Sequence, residues 1–507
     1  MSKGNWVEET FLKTWHPYFW IIFIGLLLYS QTLFFNFTYL DDNILILEKL
    51  PFLTSSSNVF QVFRQDAFHS SQCFEAYYRP LLTISFMLDA QLGGASPFIY
   101  HFTNINIHLL AACLLFMFLI KLKYRKELAL FFSLVFTVHP VLTQAVAWIP
   151  GRNDSLLTIF ILMAFISFLN FLETKNGKSY LWHLLFFALA LFTKESALVL
   201  IIMCVLYLHL ITKERLFSST EKLFAIGWFT IITLWFFLRH AALANPIKMT
   251  PSNMVRSLLG NLPAIIQYIG KILLPFNLSV LPIIQDTTFV YGFIAITLLT
   301  IALFLSKNKC YNFIIFGSFW FILFLLPSFI QPNPAIVAYF IEHRIYLPII
   351  GFIIILLETD MIKNLSAKKN SSPILGAVIV LVLLTIITFN HSKNFKNRLN
   401  FWENAVKTSP HSSLAHRNLG TMYYLEEQPD KAESKYKKSL ELNPQEPMVH
   451  NNLGLVYMKK NMFKKAEEEF RKELAINPSN NNVCFNLRLL YYKQNKLKDA
   501  QGTGEGL

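Results

Sequence analysis

Four short polar stretches interrupt an otherwise strongly apolar chain, and each mixes cations with carboxylates or imidazoles. Asp41 and Asp42 stand side by side in FTYLDDNILI, just beyond the first apolar run, and Arg79 and Asp89 follow in the same inter-span stretch. His139, Arg152 and Asp154 lie in VHPVLTQAVAWIPGRNDS, Lys194 and Glu195 in FTKES, and Glu342, His343 and Arg344 in IEHRIYLP. Ionisable groups at a bilayer boundary are candidates for function, although a single Lys or Arg there can simply snorkel. Such clusters suit transfer of a sugar from a lipid-linked phosphate. The acceptor hydroxyl has a high pKa and needs a carboxylate base. The departing lipid phosphate gains charge and needs Arg, Lys or His beside it. A proton-coupled transporter would place its acids near the middle of its spans, where this chain has almost none.

What must position these residues is a membrane bundle. The chain has 507 residues, 54% hydrophobic and only 15% charged, against about a quarter charged in soluble domains. Its 49 Phe suit a lipid-facing surface. The net charge of +14 is what loops retained in the cytoplasm would contribute, so no nucleic-acid partner is expected. Cys73, Cys113, Cys204, Cys310 and Cys484 are scattered and indicate neither a zinc site nor a disulfide framework. Eleven spans are predicted, near 18–36, 98–120, 127–146, 155–172, 180–193, 195–212, 223–240, 288–306, 311–330, 345–358 and 373–390. The first reads as a signal anchor, because no small-residue cleavage site follows it. Placing the basic breaks KLKYRK, ETKNGK, TKER, KNK and IKNLSAKK in the cytoplasm puts all four polar clusters on the outer side. The segment 257–276 carries Gly, Pro, Gln267 and Lys271 and is expected to be re-entrant or interfacial.

Beyond residue 390 the chain becomes charged and periodic. Pro410, Pro444 and Pro478 are 34 residues apart, as are Asn418, Asn452 and Asn486, Tyr423, Tyr457 and Tyr491, and Ala432, Ala466 and Ala500. That period is the tetratricopeptide signature. Repeats start at 409, 443 and 477, with a partial repeat at 391–408 in which Trp402 precedes Tyr436 by one period. The expected fold is therefore all-α: a polytopic membrane domain over 1–390, then a short solenoid over 391–507. Arrays of this kind bind peptides or proteins. The 19 Lys/Arg against 13 Asp/Glu of 391–507 mildly favour acidic ones.

The membrane domain resembles the GT-C glycosyltransferases, and specifically the transmembrane-and-tetratricopeptide-repeat O-mannosyltransferases (the TMTC family) with their bacterial relatives. The matching stretches are YLDDNILI, YYRPLLTISFMLD, YHFTNINIHLL, HPVLTQAVAWIPGRNDSLL, FTKESAL and HRIYLPIIGF, in the family's order, with the repeats following. Departures fall at Leu142 and Gln144, where the family has His and Glu, and at His343, where it has Glu. The resemblance implies inverting transfer of a mannose-like sugar from a polyprenyl-phosphate donor to a hydroxyl of a protein acceptor on the outer side. It makes Asp41 the base ahead of Asp42, with Asp154 a second acid. Arg344 and Lys194, then Arg79, Arg152 and His139, become donor-phosphate ligands, with Glu195, His343 and His101 elsewhere in the pocket. No cofactor is required beyond the lipid-linked donor; a divalent cation between the two Asp is conceivable but not favoured. The expected site is a bacterial inner membrane with periplasmic repeats, or the endoplasmic reticulum with lumenal ones. Competing readings are transfer to a glycan or lipid, and a non-enzymatic repeat scaffold.

Overall fold

A computed structural model describes residues 8–68, 77–215, 218–243, 250–330, 341–365, 372–478 and 480–494. Cys73, Ala500 and part of the IKNLSAKK break lie outside the described residues. The chain forms two units: Met1–Val280 with Thr288–Asn397, and Leu281–Thr287 with Arg398–Leu507.

The longer helices of the first unit are α1 (His16–Tyr29), α2 (Pro80–Gly93), α3 (Pro97–Lys121), α4 (Lys126–Val138), α5 (Arg152–Thr174), α6 (Gly177–Thr193) and α7 (Val199–Leu210). They continue with α8 (Ser219–Ala242), α9 (Pro251–Asn261), α10 (Ala264–Leu273), α11 (Val290–Leu305), α12 (Tyr311–Leu325), α13 (Ile349–Leu357) and α14 (Ser372–Ser392). Among the described residues, six helical segments are long and apolar enough to cross a membrane: His16–Phe34, Pro97–Lys121, Ile149–Thr174, Ser219–Ala242, Tyr311–Phe329 and Ile374–Phe395. Lys126–Val138 and Pro140–Ala147 form a further candidate bent by 52°. The spans predicted at 180–193, 195–212, 288–306 and 345–358 coincide with shorter helices. Leu27, Phe229, Phe304 and Leu383 point outward and exposed, as a lipid-facing belt requires. The protein is a multi-pass integral membrane protein.

The two ends of this bundle differ in chemistry. Helix α5, about 34 Å long at 1.5 Å per residue, starts at Arg152 and ends where Glu173 meets Lys121 (2.8 Å) and Lys123 (3.2 Å). Arg125 donates to the Lys363 and Leu365 carbonyls at that same end, and the Asp360 carboxylate receives the Lys307 N–H. KLKYRK, ETKNGK, KNK and the described part of IKNLSAKK thus gather together. The four acid-and-cation stretches lie at the other end. Segment 257–276 is covered by α9 and α10, each too short to span and broken at Leu262–Pro263. Its Lys271 is fully buried against Glu342 at 2.5 Å.

The second unit is built from α15 (Arg398–Thr408), α16 (Ser413–Leu425), α17 (Pro429–Leu442), α18 (Val449–Lys459), α19 (Phe463–Ile476) and α20 (Asn481–Lys493). Helix pairs close where small residues recur: Gly420 lies under the Tyr436 ring and Gly454 under Phe470, with Ala432 and Ala466 fully buried. Trp402 of α15 is buried as well. Leu281–Thr287 joins this unit through Ser409 Oγ donating to the Leu281 carbonyl (2.8 Å) and Asp286 pairing with His411 (2.5 Å).

Candidate active site

The loop after α1 turns sharply before it reaches the paired aspartates. Tyr39 and Asp41 both adopt left-handed backbone (φ 58° and 64°), a conformation costing about 1 kcal/mol or more for residues other than Gly, though Asp tolerates it better than most. Two fastenings hold the turn. Trp148 donates its indole N–H to the Leu40 carbonyl (2.9 Å). Asp42, fully buried, accepts from the Thr38 N–H (2.6 Å) and the Thr38 hydroxyl (3.0 Å). The two carboxylates therefore part: Asp42 locks the loop internally, and Asp41 lines a cleft of about 190 Å³.

Five segments bring side chains to that cleft. Arg79 precedes Pro80 and is the residue from which α2 starts, its backbone outside the helical region (φ −133°, ψ 59°). Its guanidinium lies over the Tyr77 ring at 4.4 Å and pairs with Glu195 at 3.0 Å. Asp66 steadies this stretch by accepting the N–H of Tyr77 (2.6 Å) and of Phe68 (2.6 Å). From the WIPGRND turn come Trp148, Asn153 and Asp154. Gly151 is needed there, because a Cβ would sit 2.6 Å from the Gln144 carbonyl oxygen. Lys194, the residue ending α6, reaches Asp154 at 2.8 Å. Asn153 joins the two sides, its amide oxygen accepting from Arg79 Nη1 (3.1 Å) and its nitrogen donating to the Thr193 carbonyl (3.1 Å). His343 and Arg344 enter on the short turn Glu342–Ile345; Arg344 Nη1 donates to the Ser328 carbonyl (2.8 Å). The His343 ring packs on Trp148 (5.1 Å) with Nε2 3.6 Å from Asp154. Phe324, Pro327, Ile341, Leu347 and Pro348 supply an apolar wall.

Electrostatics separate the acids by role. Burial raises Asp41 to about 6 against the opposing pull of Arg79, so it is a carboxylate poised to exchange a proton near neutral pH. Burial likewise holds His343 down near 3, only partly offset by Asp154, which leaves a neutral imidazole. Asp154 and Glu195 are each tied to a cation, one to Lys194 and the other to Arg79. Glu195 thus pairs with Arg79 rather than with its neighbour Lys194. Asp154 sits in the first turn of α5 but does not cap it. Among the described residues no group of three or more His, Cys, Asp or Glu side chains could hold a metal ion.

Four expected site residues lie elsewhere. Arg152 is fully buried, pairing with Asp89 (2.5 Å) and donating to Asn104 Oδ1 (2.6 Å) and the carbonyls of Tyr100 (2.9 Å) and Ser85 (3.2 Å). No face of its guanidinium is left for a phosphate. His139 turns inward to the Ile272 carbonyl (2.9 Å), and His101 is buried against the Phe35 ring. Asp42 is consumed by Thr38. Tyr77, Asn153 and Trp148 were not expected, although each sits within or beside a motif that was.

The chain resembles known proteins along both regions. The family described as "Dolichyl-phosphate-mannose-protein mannosyltransferase" matches residues 86–241, and the tetratricopeptide repeat family matches 413–446 and 447–480. A Caenorhabditis elegans protein O-mannosyl-transferase, F38B6.6, is 28% identical over 77% of this chain and 58% of its own length. Mouse protein O-mannosyl-transferase TMTC1 is 33% identical over 29% of this chain and 16% of its own, and human TMTC2 is 30% identical over 31% and 19%. This chain thus spans little more than half the length of the worm relative and a smaller part of the mammalian ones.

Proposed function

From the premise that the chain is a TMTC-like GT-C glycosyltransferase, we propose that it transfers a mannose-like sugar from a polyprenyl-phosphate donor to a protein hydroxyl, with inversion. The observation that carries this reading is the meeting of Asp41 with Arg79, Lys194 and Arg344 in one cleft at one end of a membrane bundle. The acceptor oxygen attacks the anomeric carbon as its proton passes to Asp41, and the bond from that carbon to the phosphate oxygen breaks. Negative charge leaves the carboxylate and arrives on the phosphate. The cleft's three cations, matched by Asp41, Asp154 and Glu195, face both states, so they stabilise the shift without net charging of a partly buried site. His343 and Trp148 flank the sugar. The apolar wall of Phe324, Pro327 and Leu347 receives the start of the lipid.

The basic breaks at the opposite end favour a cleft on the outer face, periplasmic in a bacterial inner membrane or lumenal in a eukaryotic one. The repeats recruit the protein acceptor. The relatives, named protein O-mannosyl-transferases, support the mannosyl and protein parts of this reading.

Purified protein in detergent or nanodiscs, given radiolabelled polyprenyl-phosphate mannose and a protein acceptor, tests the proposal. Asp41→Asn should lower kcat about 10²- to 10⁴-fold, the range of a lost general base, while Asp42→Asn should reduce folded yield more than it reduces turnover per folded molecule. Full activity in Asp41→Asn would sink the assignment. Label appearing only in a glycan or lipid acceptor would replace the protein acceptor.

A further inference from the structure

Gln144 lies one turn into the bent segment that follows His139, fully buried and outside the cleft. Its two amide atoms do different jobs. Oε1 accepts the backbone N–H of His343 at 3.1 Å, and Nε2 donates to the Val280 carbonyl at 2.9 Å. A second stitch joins the same two stretches from the other side, because the fully buried Glu342 carboxylate accepts the Ser279 N–H at 2.8 Å and Lys271 Nζ at 2.5 Å. The short turn that carries His343 and Arg344 into the cleft is therefore anchored at consecutive residues, through the His343 backbone N–H to Gln144 and through the Glu342 side chain to Ser279 and Lys271.

We propose that in this chain Gln144 is a positioning residue for the transfer reaction, setting where His343 and Arg344 stand through a carboxamide that donates and accepts at once. The inference rests on the cleft being the site of transfer, as proposed above. An ionised carboxylate at 144 would still accept from His343 but would face the Val280 carbonyl with a second acceptor. A thioether would offer neither bond. Displacing a catalytic arm by about 1 Å can cost on the order of 100-fold in rate, and the cost should fall on kcat more than on donor KM, because Arg344 is asked to hold charge that develops only as the phosphate leaves.

The experiment uses full-length Gln144→Glu and Gln144→Met beside the parent protein. Hydrogen exchange reports first, since it needs no turnover. Gln144→Met should exchange faster than the parent in the peptide covering 341–346, with peptides of α3 and α5 unchanged. Transfer assays across pH report second. Gln144→Met should lose about 10- to 100-fold in kcat. Gln144→Glu should match the parent at low pH, where its protonated carboxyl can donate to Val280, and fall away on an alkaline limb the parent lacks. If exchange over 341–346 is unaltered in Gln144→Met, or if Gln144→Glu tracks the parent at every pH, the positioning role is overturned. A parent protein that transfers nothing would instead count against the cleft's function, and the exchange data would still decide whether Gln144 orders this turn.

Discussion

At the scale of single residues, the informative contrast is between neighbours in sequence that part company in space. Asp41 and Asp42, and Arg152 and Asp154, are separated by one or two positions, yet one of each pair lines the cleft and the other is spent inside the protein. Residue type and span parity bring the right loops together. They do not say which way a side chain turns, because that depends on a left-handed bend at Tyr39 and Asp41 and on where the first turn of α5 begins. Asp41 also makes a pH prediction. A base must be ionised to act, so with its pKa raised to about 6 the acid limb of kcat/KM should lie near that value, well above an ordinary Asp. Arg79 opposes the rise, so Arg79→Gln should move the limb of the residual activity to higher pH. A pH–rate profile of the two proteins checks both statements, and a limb at the usual carboxylate range would dismiss Asp41.

Among the elements, the long helices were legible and the broken ones only in part. Continuous apolar runs without Pro, such as 98–120 and 155–172, emerge as α3 and α5. Pro150, Pro327 and Pro348 line the cleft, where long helices yield to the short turns beside Trp148, Ser328 and Arg344. The lysine within 257–276 was the visible sign that this stretch does not simply cross, since a lone ammonium needs a partner in hydrocarbon. Glu342 is that partner. One contact between elements can be tested directly. Helices α12 and α13 approach backbone to backbone: a Cβ on Gly351 would collide with the Gly317 carbonyl oxygen and sit 2.6 Å from the Phe321 nitrogen. Gly351→Ala should therefore destabilise the membrane unit by about 1–3 kcal/mol, the usual cost of overpacking. It should show as a lower thermal midpoint in detergent; an unchanged midpoint would mean the helices separate freely.

Over the whole molecule, the 34-residue period announced the repeat unit plainly, because Gly420 and Gly454 must be small where Tyr436 and Phe470 pack. Nothing in that period pointed to Leu281–Thr287. These residues carry no repeat signature, and their place was decided by backbone and carboxylate bonds to Ser409 and His411. If the repeats serve acceptor recruitment, a chain ending at Asn397 should still transfer to a short soluble peptide while losing most of its rate on a folded protein acceptor. Equal loss on both acceptors would show instead that the repeats support the fold of the rest.

Leu281–Thr287 also bears on how this protein is made and how it could be recombined. The ribosome produces these seven residues long before Arg398 and the helices that follow, so the repeat unit is completed only when its later helices meet a piece made much earlier. Grafting a foreign repeat array onto residue 397 would therefore leave a strand of loop tailored to the wrong neighbour. A working chimera needs two cuts, one after Asn397 and one around Leu281–Thr287, and the second lies where no inspection of repeat boundaries would place it.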